Sequence, residues 1–167
     1  MPVTASDLRA HMHYSTWASK RLVDTAAKLS EAELMRDFQT ADKSIVGSLA
    51  HVFAADRIWL ARIENRTLAK FIDDTDRQLA VLVNDWPPLL AQWDTLLAAE
   101  TGASVTRLID YKGLAGQPFQ TPLWQIVLHV VNHGTHHRGQ VSGFLRAMGH
   151  TPPPLDLIAY YRDQSST

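Results

Sequence analysis

The chain has 167 residues, 46% of them hydrophobic, which is enough to build a core of normal size without help from a metal or a disulfide. Sixteen Lys+Arg against seventeen Asp+Glu give a formal charge of -1, so the basic footprint of a nucleic-acid or anionic-lipid binder is missing. Cysteine is absent, which excludes disulfides, thiolate nucleophiles, iron–sulfur clusters and Cys-based zinc sites together and leaves His, Asp or Glu to hold any metal.

The length fits one domain spanning residues 1–167. No stretch approaches the roughly eighteen consecutive apolar residues of a membrane span, and the N-terminus lacks a charged segment followed by a hydrophobic run. The expectation is a soluble, cytoplasmic chain with no membrane or nucleic-acid partner.

In chain order, Thr4 or Ser6 caps a first amphipathic helix carrying Leu8, Met12, Trp17, Leu22 and Ala26 and running to about Leu29. Ser30 with Glu33 matches a capping box for a short second piece. Ile45, Leu49, Val52, Phe53, Leu60 and Ile63 follow helical spacing from about Ser44 to Glu64, giving the second long helix. Asp73, Asp74 and Asp76 mark a loop. Leu79 to Val83 reads as one or two separate turns, because Asp85 with Pro87 and Pro88 resembles the start of a third long helix ending near Glu100. Residues 104–120 change character, with β-branched residues followed by glycines and a proline in the manner of a hairpin or extended loop. Thr121-Pro122 then reads as a cap and first-turn proline for a fourth long helix that stops at Met148 and Gly149. The prediction is an all-α four-helix bundle with one long connection between helices three and four.

Four of the eight histidines, His129, His133, His136 and His137, fall within nine residues of this fourth helix. Leu123, Val127, Val130, Gly134, Val141 and Leu145 form its apolar stripe; His137 projects inside the stripe, His133 lies on its flank, and His129 and His136 turn outward. An i, i+4 pair stacks two imidazoles on neighbouring turns, close enough to share one ion. His133 and His137 are the preferred pair, with His129 and His133 as the competing register. His51, on the border of the second helix's stripe, can point across the bundle to complete a three-histidine set that leaves positions for water or substrate. Neutral imidazoles suit zinc, nickel, copper or iron. His11, His13 and His150 read as structural or surface histidines, the five tryptophans as packing residues, and Asp56 as a carboxylate in a structural hydrogen bond. No Asp or Glu base is evident beside the histidines.

His133-Gly-Thr-His-His137 lacks the glutamate of H-E-x-x-H, which removes a zincin protease. No E-x-x-H occurs among only four glutamates, which argues against a ferritin-like di-iron site, and no Gly-rich phosphate loop is present.

The run HVVNHGTHHRGQVSGFLRAMG from His129 to Gly149, LAHVFAADRIWLARI from Leu49 to Ile63, the YSTWASKRLVD segment and the PPLDLIAYYR end resemble the DinB/YfiT-like superfamily over most of the chain. Where many members carry asparagines in the first-helix motif, this chain has Ser15 and Ser19. The resemblance implies an up-down-down-up four-helix bundle, commonly a homodimer, with a divalent transition metal such as zinc, nickel or iron. Carried over by position, its three ligands fall on His51, His133 and His137. Some relatives use low-molecular-weight thiols such as mycothiol or bacillithiol, so the expected partner is a small-molecule substrate, in particular such a thiol. A thiol-dependent S-transferase is the leading expectation, since a coordinated thiol loses its proton without a protein base. Metal-dependent hydrolysis assisted by His136, Asp56 or Tyr111, and a non-catalytic metal-binding stress protein, are the rivals.

Overall fold

A computed structural model of the chain describes residues 3–68 and 70–165. Four long helices, α1 (Ala5–Ala26), α3 (Ile45–Ile63), α4 (Leu79–Ala98) and α5 (Leu123–Ala147), form the bundle. They are joined by a short α2 (Glu31–Met35) and a hairpin of β1 (Leu108–Lys112) and β2 (Pro118–Pro122), and followed by α6 (Leu157–Gln164).

Local chemistry sets several boundaries. Thr4 and Asp7 exchange hydrogen bonds between side chain and backbone at the start of α1, as do Ser30 and Glu33 at α2. Ser44 Oγ accepts from Gly47 N at 3.1 Å and caps α3. At the far end of α5, Gly149 adopts φ 85°, which stops the helix in a conformation that disfavours other residues.

Each of α1 and α3 packs against both α4 and α5, so α1 and α3 sit across a diagonal. Phe53 lies 6.0 Å from Trp86, and Trp93 Nε1 donates to the Asp56 carbonyl, so α3 and α4 run parallel. His51 meets His137 while Trp59 meets His129, so α5 runs antiparallel to α3. These are the relations of the last three members of an up-down-down-up order. Parallel neighbours cannot be joined by a tight turn, so the chain has a long connection here as well as the expected one between α4 and α5. Residues 64–78 form a second one, returning along α3, where Arg57 donates to the Phe71 carbonyl and forms a two-pronged pair with Asp76.

Three further differences have local causes. First, α4 is one helix and runs through Pro87 and Pro88. Both prolines are exposed, as are Val83 and Asn84, the residues four positions before them, while Leu82, Trp86, Leu89 and Trp93 anchor the opposite face in the core. Second, Thr121 and Pro122 belong to β2, paired with Ile109 and Leu108, and provide no side-chain cap for α5. Third, α6 forms beyond the proline run and docks on α1: Tyr160 packs edge-on against Tyr14 and Trp17, and Tyr14 Oη donates to the Leu155 carbonyl at 2.9 Å. No helix of the described residues is long and apolar enough to cross a membrane.

Candidate metal centre

The antiparallel seam between α3 and α5 brings His51, His133 and His137 together, each offering a ring nitrogen within 4.8 Å of the other two. His51 Nε2 and His133 Nε2 are 3.1 Å apart. Nitrogens each bonded to one ion at about 2.0–2.1 Å sit roughly 2.9 Å apart at octahedral angles and 3.4 Å at tetrahedral ones. The observed separation falls within that span.

The opposite edges of the rings explain which nitrogens are free. His137 Nδ1 donates to Gln140 Oε1 at 3.0 Å, and the Gln140 amide nitrogen in turn approaches His136 Nε2 at 3.3 Å. A carbonyl oxygen only accepts, so the His137 proton resides on Nδ1 and the lone pair on Nε2. Asp42 presents one carboxylate oxygen to His51 Nδ1 at 3.3 Å and the other to His137 Nδ1 at 3.4 Å, with its side chain only 12% exposed. A carboxylate behind two imidazoles favours their Nδ1-protonated forms and makes both better donors through Nε2.

Asp42 reaches this position because of the backbone beneath it. Gly47, in the first turn of α3, has no side chain, and a Cβ there would lie 2.1 Å from the Asp42 carbonyl oxygen. That oxygen accepts from Ser44 N at 2.7 Å, folding the loop down over the helix start. The expectation of no acidic side chain beside the histidines is therefore corrected. Asp42 is there, but it faces the Nδ1 edges, where it orients rings.

Burial, reinforced by its neighbours His137 and His51, pushes the His133 imidazole down to about 4, and burial also lowers His137. Both are neutral donors at neutral pH. His133 Nδ1 is buried with no hydrogen-bond partner among the described residues.

The remaining candidates separate cleanly. His129, the competing register, is exposed, packs on Trp59 at 5.3 Å and has its ring 5.9 Å from His133, outside the cluster. His136 is exposed and stands edge-on to His137. Asp56 is buried and accepts from Trp86 Nε1 at 2.8 Å, a structural hydrogen bond as expected. Tyr111 is in the hairpin, between Trp59 and Phe119. His13 pairs with Asp94 and His150 with Glu33, each at 2.7 Å. Trp86 and Trp93 are core residues.

Besides Asp42, sequence reasoning missed Arg138. Its guanidinium is buried on the other side of α5, donating to Ser15 Oγ at 2.9 Å, Ser19 Oγ at 3.1 Å and Thr135 Oγ1 at 3.2 Å. Gly134 makes room for it, since a Cβ there would meet Arg138 Nη1 at 2.7 Å. The signal was present in Ser15 and Ser19, two small polar residues at i, i+4 on a helix with a buried face.

A parallel-and-antiparallel helical bundle with three converging imidazoles between two of its helices defines a protein able to bind a metal ion. The DinB family model matches residues 1–166, and the chain belongs to the DinB family. Protein DinB of Bacillus subtilis (strain 168) is 23% identical over 154 residues, covering 88% of this chain and 89% of the relative. The crystal structure of a DinB-like protein from Bacillus cereus ATCC 10987 matches the fold with a TM-score of 0.63 at 16% identity, over 92% of this chain and 99% of that one.

Proposed function

We propose that the protein is a metal-dependent enzyme that transfers or conjugates the sulfur of a low-molecular-weight thiol, with His51, His133 and His137 holding one divalent transition metal. The observation that carries this reading is the set of three converging imidazoles from two helices, with Asp42 behind the far edges of His51 and His137. Three protein donors leave coordination positions for an exogenous ligand. When bound, the ion supplies a Lewis acid that favours the thiolate over the thiol at neutral pH. The chain's own part is to present the three nitrogens, orient His51 and His137 through Asp42 and Gln140, and shield the cluster with Phe71, whose ring stands edge-on to His51 at 5.4 Å. No further carboxylate is required, since the thiol proton passes to solvent. A homodimer and a cytoplasmic location are part of the same proposal.

The test is thiol consumption against 1-chloro-2,4-dinitrobenzene, run with p-nitrophenyl acetate cleavage in parallel, on protein loaded in turn with zinc, nickel and iron(II). Conjugation that needs both metal and His133 supports the reading. Ester cleavage without conjugation replaces it with a hydrolase, and metal binding without either activity replaces it with a non-catalytic metal-binding protein.

A further inference from the structure

The C-terminal half of α3, the strap after it and the hairpin enclose a cavity of about 660 Å³. Its lining is cationic and aromatic: Arg62, Lys70 and Lys112 alternate with Phe71, Tyr111 and Phe119. Arg66 also lines it, already engaged by Glu64. The one acidic side chain of the lining, Asp110, is occupied by Gln120 Nε2 at 2.9 Å.

Arg62 is the distinctive member. Its guanidinium lies over the Trp59 ring at 4.5 Å and the Tyr111 ring at 5.1 Å, which fixes its plane. Among the described residues it has neither an ion-pair partner nor a hydrogen-bond acceptor, and the same holds for Lys112. A half-buried, stacked guanidinium with five unspent donors is arranged for planar oxyanions. Burial lowers its pKa, so its charge is held at a cost that an anion would offset.

The cavity is aligned with the histidine cluster. At about 100° per residue, His51, Ile58 and Arg62 fall within roughly 20° of one line on α3, and the two ends are about 16 Å apart along the axis. Ile58 and Arg62 line the cavity, and Phe71 borders both the cavity and His51. A second wall continues from Arg62 through Trp59 and His129 to His133.

The geometry points to this cavity as the binding site for the anionic tail of the substrate: an elongated small molecule with a carboxylate or phosphate at Arg62, Lys70 and Lys112 and its reactive head at the histidine cluster. This rests on the metal-centre reading for the head, whereas the tail site stands on the cavity alone.

The experiment uses the full chain loaded with cobalt(II), whose thiolate absorption band reports a thiol reaching the ion. Glutathione is compared with glutathione diethyl ester, and 4′-phosphopantetheine with pantetheine, so that the first pair reports carboxylate and the second phosphate. In a second arm, S-methylglutathione, which has the carboxylates but no thiol, is titrated calorimetrically into metal-loaded and metal-stripped protein. The expected result is that the charged member of at least one pair binds about tenfold or more tighter than its neutral counterpart. Salt weakens that preference, and Arg62→Gln removes it without altering the cobalt spectrum. Because Arg62 also packs on two rings, Lys112→Gln at an exposed position serves as the second variant and should reduce the preference severalfold. Equal affinities within both pairs, or a preference that survives both variants, overturn the tail site. S-methylglutathione binding that depends on Arg62, in a protein that takes up no cobalt, overturns the metal-centre reading and leaves the tail site standing.

Discussion

His137 and Arg138 are neighbours in the chain, yet one helical step of about 100° turns them to different faces of α5 and into two different kinds of polar cluster. On the α1 side, Arg138 is sealed and spends its terminal nitrogens on Ser15, Ser19 and Thr135. On the α3 side, His137 joins two other imidazoles, and His51 Nε2 and His133 Nε2 face each other at 3.1 Å. The first cluster pairs both terminal nitrogens of a buried guanidinium and leaves only Arg138 Nε without a partner among the described residues, which gives it the form of a structural lock. The second leaves His133 Nδ1 buried without a partner among the described residues and gathers three ring nitrogens within 4.8 Å of one another, the arrangement of a set of ligand atoms. The difference between stability and function in this bundle is the difference between these two sides of one helix.

The comparison makes its largest prediction at His133. His133→Ala should remove stoichiometric metal binding, a loss of more than about a thousandfold in affinity. The unfolding free energy of the metal-free protein should change by no more than about 1 kcal/mol, because the ring already has a buried nitrogen without a partner. Elemental analysis and urea denaturation check the two halves. A variant that keeps one metal per chain, or that unfolds without metal, breaks the distinction between the two sides.

Arg138→Ala should do the opposite. Removing the guanidinium strands the Ser15 and Ser19 hydroxyls and takes a cation from the field at buried Asp56, at a cost of about 3–5 kcal/mol in unfolding free energy. Cobalt uptake at low temperature should stay at one per chain. A stability loss below about 1 kcal/mol would mean that the sealed cluster is not a lock.

Asp56, a buried α3 carboxylate in the field of Arg138, should leave a pH signature of its own. Burial pushes the Asp56 carboxyl up to about 7 from its ordinary 3.8, against the hydrogen bond from Trp86 and the field of Arg138. The native state thus holds this proton more tightly than the unfolded chain does. Its contribution is complete below about pH 3.8 and is lost as pH rises through about 7, an amplitude of about 4 kcal/mol at most. Asp56→Asn keeps an acceptor for Trp86 and carries no charge, so its stability should be flatter across that window. Denaturation midpoints measured from pH 4 to 8 decide this: parallel curves for the two proteins would reject the assignment.

The two sides were unequally legible in the sequence. The i, i+4 spacing of His133 and His137 is local and visible, and His51 at the border of an apolar stripe points to the same seam, so the histidine cluster followed from periodicity and from the family resemblance. The helices α1, α3 and α5 followed in the same way, and Thr4, Ser30 and Ser44 marked the starts of α1, α2 and α3. Asp42 was hidden because a loop has no period, and its position depends on the missing Cβ of Gly47 five residues later. Arg138 was hidden because a charged helical residue ordinarily faces water, and only partners on another helix make its burial affordable. In α4, tertiary burial of Leu82 and Trp86 overrides two prolines that locally argue for a helix start.

The smallest predicted effect lies where the two sides resemble each other most, at a residue that organises polar groups without being a proposed ligand. Asp42→Asn preserves size but can offer an acceptor to only one of the two Nδ1–H groups, and it turns an N–H donor toward the other. Metal affinity should fall about 10–100-fold with the stoichiometry unchanged, the range associated with removing a carboxylate behind a ligating imidazole. Gly47→Ala should reproduce that loss with Asp42 intact, because the new Cβ cannot occupy a point 2.1 Å from the Asp42 carbonyl and the loop must lift. Competition titrations against a chromophoric chelator measure both. If Asp42→Asn binds metal as tightly as the parent while His133→Ala binds none, the carboxylate is a bystander and the imidazoles are oriented by Gln140 and the helices alone.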